Sequence, residues 1–472
     1  MWGAGLVVLT LAGCAVKTPP LPAAPAMPPA FKENADWKLA NPVDHAVRGN
    51  WWEVFGDPQL NALESQIDVS NQTLRAQQAR FLQARAAVAI AGSARYPLVT
   101  TTPSIVAGRQ SGNRPNATVH QNASDFVLPV DFSYELDVWG RVRLTVAAAR
   151  ATAQASAADL ETVRLSLHAD LALDYFELRG LDAQKAVLDS SVEAFQRALD
   201  LTRNRFTGGI ASQADVDQAE TQLETTRAQL VDVDVQRSAL EHAIAELIGQ
   251  APAAFTLARL PLKDPPPDIP AGLPSDLLER RPDIAAAERR IAAAASNVGV
   301  ANAAFFPRLL LTAAAGFESR SLGSWLTGLS TFWSAGPAAA YTIFDGNRRR
   351  ATSEQAVAAF DETVADYQDT ILRSLQDVED SLSTLRILRE EADVQAAAVA
   401  AAERSVTQAN NRYRGGVATY LEVIAAQSAA LTNQRTELSV LSRRLAASVL
   451  LIKALGGGWD VSTLPIIKTG TR

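Results

Sequence analysis

Residues able to do covalent chemistry are few in this 472-residue chain, and their spacing excludes more than it offers. The sole cysteine, Cys14, can form neither an intramolecular disulfide nor a cysteine-based zinc cluster. Four histidines, His45, His120, His168 and His242, lie scattered without metal-ligand spacing and read as surface or helix-face residues. No nucleophile stands beside a base and no phosphate-binding Walker motif occurs, so neither an enzyme nor a bound cofactor is expected. With Lys+Arg at 44, Asp+Glu at 51 and a net charge of −7, no basic block invites nucleic acid. What remains is a set of polar and glycine residues that occurs twice. Arg205-Phe206-Thr207-Gly208-Gly209-Ile210-Ala211-Ser212, followed by Asp215-Val216, returns about 207 residues later. The second copy is Arg412-Tyr413-Arg414-Gly415-Gly416-Val417-Ala418-Thr419, followed by Glu422-Val423.

Further landmarks keep their order and nearly the same offset. Ala94-Arg95-Tyr96-Pro97 answers Ala304-Phe305-Phe306-Pro307, and Trp139-Gly140-Arg141 answers Asp345-Gly346-Asn347. The architecture is therefore duplicated, and helices position the matched residues. Helical patterns cover about 59–94, 142–206 and 212–247, then 275–304, 347–413 and 419–455, with Gly180 as a weak interruption. The longest would reach about 95 Å at 1.5 Å per residue, which requires side-by-side packing in a long assembly. Leu181, Leu188 and Phe195, interleaved with Val192, Leu199 and Phe206, mark a coiled-coil seam. Its counterpart, Leu388, Ala392, Val399, Ala402, Val406 and Tyr413, is smaller. Alanine-rich stretches at 147–158 and 396–402 bury little apolar area per residue, which favours many neighbours over a lone hairpin. The pairs Gly208-Gly209 and Gly415-Gly416 allow the positive φ of a helix end, and Ser212 and Thr419 suit the N-cap of a returning helix. Each half thus carries a helical hairpin with its turn at the end of a rod, and the recurrence points to a shared role.

Between the helices the period changes to two. Phe126, Leu128, Val130, Phe132, Tyr134, Leu136 and Val138 alternate with Val127, Pro129, Asp131, Ser133, Glu135 and Asp137. This is the length and pattern of a tilted transmembrane strand. Trp333, Ala335, Pro337, Ala339, Tyr341 and Ile343 form the counterpart, 309–317 a third strand, and 97–108 the weakest fourth. Loops at about 109–124 and 318–330 join each pair. Four strands cannot close a barrel, which takes about eight. Copies must pool strands; a trimer is the natural count, although closure alone admits others.

The apolar run 5–13 is too short to span a bilayer and suits a signal peptide, although no Lys or Arg precedes it. It ends in Leu11-Ala12-Gly13-Cys14, which resembles a bacterial lipobox, making Cys14 the expected lipidation site. Ala15 follows, in place of the Asp of inner-membrane retention. Residues 19–29 read as an extended, disordered tether. The expected division is a signal peptide (1–13), a lipid-anchored tether (14–58), a first repeat (59–255), a Pro-rich linker (256–274), a second repeat (275–459) and a tail (460–472). Within the repeats the β-hairpins fall at about 97–138 and 308–345, and the helical tips at about 207–212 and 414–419.

Several motifs, in this order, complete the picture. They are Cys14, the run Trp51-Trp52-Glu53-Val54-Phe55-Gly56-Asp57-Pro58-Gln59-Leu60, and Leu278-Glu279-Arg280-Arg281-Pro282-Asp283-Ile284. Ala303-Ala304-Phe305-Phe306-Pro307, Phe344-Asp345-Gly346 and the two Gly-Gly hairpins follow. Over nearly the whole chain this set resembles the outer membrane factors, TolC-like exit ducts, in their lipoprotein branch serving resistance-nodulation-division efflux. The resemblance implies a mainly α protein with a membrane β-barrel. Three chains, four strands each, would form an outer-membrane barrel continued by a long periplasmic α-helical barrel. It implies an adaptor-docking tip at Gly208, Gly209, Ile210, Ala211 and Ser212, with Gly415, Gly416, Val417, Ala418 and Thr419. Tyr413 and Glu422 match residues that close the pore, and Asp215 is a candidate contributor. Ala418 and Ala425 stand where some relatives carry an arginine and a second acid, so the expected gate is thinner. The implied partners are two further copies, a periplasmic adaptor, an inner-membrane pump and outer-membrane lipid. The leading expectation is a passive exit duct for drugs or other small toxic compounds. Protein secretion and heavy-metal efflux are close variants. A periplasmic helical scaffold without a pore would have no use for the alternation at 126–138.

Overall fold

A computed structural model describes residues 16–23, 25–34, 49–109, 122–262, 265–269, 272 and 274–467. The first half runs α1 (Pro58–Ser70), α2 (Gln72–Ser93), β1 (Leu98–Thr100), β2 (Ser104–Arg109), β3 (Asn122–Leu136), α3 (Arg141–Thr207) and α4 (Gln213–Leu247). The second runs α5 (Leu277–Arg280), α6 (Pro282–Ala303), β4 (Arg308–Ser319), β5 (Thr331–Ala340), α7 (Arg348–Arg414) and α8 (Tyr420–Ala454). Helices α3 and α7 have 67 residues each, a span of about 100 Å. Neither contains a proline, and alanine-rich stretches favour continuous helix. Gly180 does not interrupt α3: a Cβ there would collide with Ser442 Oγ, so the glycine lets α8 approach closely.

Two expected helices are broken, for identifiable reasons. The pattern at 59–94 splits at Asn71, which is extended (φ −64, ψ 125) and caps α2 by accepting from Leu74 N. Asn71 Nδ2 donates to the Leu247 carbonyl at 2.8 Å and Ser70 Oγ to the Ile248 carbonyl at 2.6 Å. The α4 end therefore meets the α2 start, and 35 plus 22 residues run beside the 67 of α3. The pattern at 275–304 splits at Arg281, held extended (φ −99, ψ 120) by the following Pro282. There Arg281 Nη1 donates to the Ala454 carbonyl at 3.1 Å, repeating the joint between α8 and α6.

Helices α2, α3, α6 and α7 form a wall next to the strands; α4, α3, α8 and α7 continue it to the tips. The largest apolar cluster lies at the waist, where Trp51, Trp52, Tyr175, Ile248, Ile269 and Ile452 are buried. Just beyond the stretch read as a disordered tether, 19–29, the chain is fastened. Phe31 is buried in this cluster, and Lys32 N and Glu33 N donate to the Glu379 carboxylate at 2.7 and 3.0 Å. Glu33 also pairs with Arg386 at 2.8 Å, so this segment is fastened to α7.

One antiparallel sheet has the order β1-β3-β4-β5, with β2 also pairing β3. The expected fourth strand, 97–108, is two pieces, β1 and β2. Two of the other strands end earlier than read, at Leu136 and Ala340, and the strand read as 309–317 extends to Ser319. Register joins the alternation across the sheet: Phe132 pairs with Val99 and Ala313, and Ala313 with Ala335. Leu128 faces Phe317, and Ala315 faces both Val130 and Trp333. Because cross-strand partners share a side, one face is apolar along the body of the sheet, with polar residues, Ser319 and Thr331 among them, only at the loop end. The other carries Asp131, Ser133, Thr312, Ser334 and Gly336. Trp333 is 81% exposed on the apolar face, and β1, β2 and β5 are open edges.

Candidate gate and docking tip

Both hairpin turns are built alike. Gly209 (φ 75) and Gly416 (φ 73) reverse the chain in the left-handed region, while Gly208 and Gly415 remain helical. Ile210 N donates to Arg205 O at 2.8 Å, and Val417 N to Arg412 O at 3.0 Å. Each bond satisfies a carbonyl at a helix end. Nothing lies within 4 Å of a Cβ built on Gly209 or Gly416, so the backbone angle, not crowding, demands glycine. Ile210 and Val417 project at 77% and 70% exposure; Ala211 and Ala418 are half-buried, and Ser212 and Thr419 exposed.

The caps differ. Ser212 and Asp215 form a capping box: Asp215 N donates to Ser212 Oγ at 3.2 Å, and Ser212 N to Asp215 Oδ2 at 2.9 Å. Thr419 occupies the N-cap of α8, as read, but its side chain makes no cap hydrogen bond. Glu422, three residues later, pairs instead with Arg412 at 3.2 Å, both side chains about half exposed. Asp215 is thus engaged locally, and Glu422 ties together its own hairpin.

Tyr413 is buried, with its ring 5.3 Å from that of Tyr420. Burial pushes the Tyr420 hydroxyl up to about 12, so it stays protonated. The two rings share an apolar cluster with Leu188, Phe195, Leu199, Val216 and Leu223, which glues the hairpins along α3. Phe206, read as a seam residue, is 43% exposed and lies outside that cluster; Ala392, Ala402 and Val406 are only half-buried. Arg205 was read only as a flanking residue. Its Nη1 and Nη2 donate to the Tyr413 and Arg414 carbonyls at 2.9 and 3.0 Å, and its guanidinium lies 4.4 Å from the Tyr413 ring centroid. A cation at a helix C-terminus, bonded to the last carbonyls, is stabilising.

A second polar group escaped the sequence reading. His168 is buried, stacks on Trp52 at 4.3 Å and meets Glu64 Oε2 through Nδ1 at 2.7 Å. It joins α3 to α1 at the waist. His242 is exposed, as read; Cys14, His45 and His120 lie outside the described residues. Among the described residues no three His, Cys, Asp or Glu side chains are placed to hold a metal ion.

Residues 63–250 and 273–457 match the outer membrane efflux protein family. The chain is 32% identical over 460 residues to the pyoverdine export outer membrane protein OpmQ of Pseudomonas aeruginosa, covering 96% of this chain and 95% of that protein. It is 33% identical over 419 residues to the toluene efflux pump outer membrane protein TtgF of Pseudomonas putida, covering 88% and 87%. The solved structure of the outer-membrane channel OprN matches with a TM-score of 0.88 at 30% identity, over 94% of this chain and 100% of that one.

Proposed function

The chain belongs to the outer membrane efflux protein family, and on that premise we propose how its residues serve as the exit duct of a tripartite pump. It is an outer-membrane channel protein that works as a homotrimer with a periplasmic adaptor and an inner-membrane pump. The family is one of channels and transport proteins, and the energy comes from the pump. Small toxic compounds leave passively through the lumen.

The observation that carries this reading is the single apolar face running in register through every strand, with open edges on both sides of the sheet. An exposed apolar face belongs against lipid, and open edges must pair with those of other copies. The polar and small face then lines water. Cys14, once lipidated, would anchor each copy beside the barrel.

At the far end, Ile210 and Val417 with their flanking turns form the surface on which the adaptor seats. Tyr413 and Glu422, with Asp215 bracing the neighbouring turn, restrict the lumen. An adaptor that contacts the splayed tips better than the packed ones shifts the population toward the open duct. The test is efflux of a fluorescent pump substrate from cells that keep the adaptor and pump. Deleting this chain should abolish efflux and re-expressing it should restore it; undiminished efflux in the deletion would overturn the reading.

A further inference from the structure

The contacts of Arg205 set it apart from every other charged residue at the tip. It is the side chain that leaves the first hairpin and grips the backbone of the second, through the carbonyls of Tyr413 and Arg414. Its repeat counterpart, Arg412, pairs with Glu422 inside its own hairpin. Nearby cations also stay local: Arg203 pairs with Glu220 at 3.2 Å, and Arg197 with Glu193 at 3.8 Å. Arg205 is half-buried between the hairpins, so water competes weakly for its donors.

Tyr413 supplies a complementary observation. Its hydroxyl is buried and has no hydrogen-bond partner. Because the oxygen is already covered within one protomer, a neighbouring copy cannot reach it in this packing. The ring face and the main-chain carbonyl are the parts of Tyr413 that Arg205 engages. A guanidinium can do both at once, since it stacks on a ring while its fork donates in-plane.

We infer that Arg205 is the positioning residue of the gate, bolting the first hairpin to the second through the carbonyl and ring face of Tyr413 rather than through its hydroxyl. This rests on the assignment of Tyr413 to the constriction. The bolt fixes the end of α7 against α3; the other ties between the hairpins near the tip are the apolar packing around Tyr420 and Val423, a Tyr420–Thr202 hydrogen bond and one from Ser428 Oγ to Gln222 Oε1 at 3.2 Å. Opening must therefore break two charge-assisted hydrogen bonds in every copy.

The test is the resting conductance of the full-length channel in planar bilayers, with trimer assembly checked for each variant. Arg205→Gln should raise the resting conductance at least about tenfold, because even one lost charged hydrogen bond weights the open state by that order. Arg205→Lys, which keeps the charge but loses the fork and the stack, should fall between. Tyr413→Leu should open the channel as Arg205→Gln does, and Tyr413→Phe should give only a small part of that increase. If Tyr413→Leu opens the channel while Arg205→Gln does not, the bolt is refuted and the constriction stands. An opening by Tyr413→Phe equal to that by Tyr413→Leu would return the role to the hydroxyl and also refute it. Wild-type conductance in both Arg205→Gln and Tyr413→Leu would remove the constriction itself.

Discussion

Arg205 and Arg412 occupy the same place in two copies of one hairpin, yet one reaches across to the other hairpin and the other stays at home. The caps divide the same way: Ser212 and Asp215 close a box, whereas Thr419 is uncapped and Glu422 is drawn to Arg412. Both hairpins are internally tied, the first by its capping box and the second by Arg412–Glu422, but only the first sends an arginine across to hold the other. The waist repeats the lesson. Asn71 and Arg281 make equivalent helix joints with different side chains, and the buried Glu64–His168 pair has no copy, since the position 207 residues after His168 is Leu375. Duplication preserved backbone geometry, and side chains then specialised each half.

The strongest challenge to this contrast falls on what the halves still share. Gly209→Glu and Gly416→Glu should each abolish export while membrane insertion persists, because both turns need positive φ, at a cost of about 1–2 kcal/mol, and both tips must seat a partner. Drug tolerance equal to wild type in either variant would show that the turns are not equivalent docking elements.

A second test concerns the waist, where only the first half carries a titrating pair. Burial raises the Glu64 carboxyl to about 7, against the opposing pull of His168. Burial works against charge on His168 too, but its hydrogen bonds to Asp68 and Glu64 leave it above its usual value. Both raised groups favour the protonated fold. Their stabilisation is complete below the unfolded values, declines for Glu64 between pH 4.5 and about 7, and is lost for His168 as pH passes its elevated value. Asp68, lowered by its hydrogen bond to His168, acts oppositely and weakens the seat only in acid. Thermal stability should fall between pH 5.5 and 8.5 by an amount on the order of 2 kcal/mol, and Glu64→Gln should flatten that slope. An unchanged slope in Glu64→Gln would move the titration elsewhere.

The smallest effect separates the caps. Ser212→Ala should cost about 1 kcal/mol and speed amide exchange in the first turn of α4. Thr419→Ala should do neither in α8, having no cap bond to lose. Equal effects would erase this part of the asymmetry.

Local periodicity made much of this fold legible. Alternation from Phe126 marked the membrane strand, and the Gly-Gly pairs marked both tips, because neighbouring residues carry those signals. The helix breaks were hidden, since Asn71 sits inside an unbroken apolar pattern and its extended backbone is held by the end of α4. Phe31 was lost in a proline-rich stretch whose partners on α7 lie far along the chain. His168 finds Glu64 at a separation of 104 residues, and Arg205 finds Tyr413 at 208. Nothing in the local pattern at either residue announces a partner so distant. The turn that carries Tyr413 and Glu422 was therefore legible in the sequence, but the arginine that bridges to it from the first hairpin was not.

The central claim is that copies of this chain complete one another's sheet. Native mass spectrometry of the detergent-purified protein measures it directly. Three chains in one particle, with the β signal intact, is the expected result; a stable monomer retaining its full β content would contradict it.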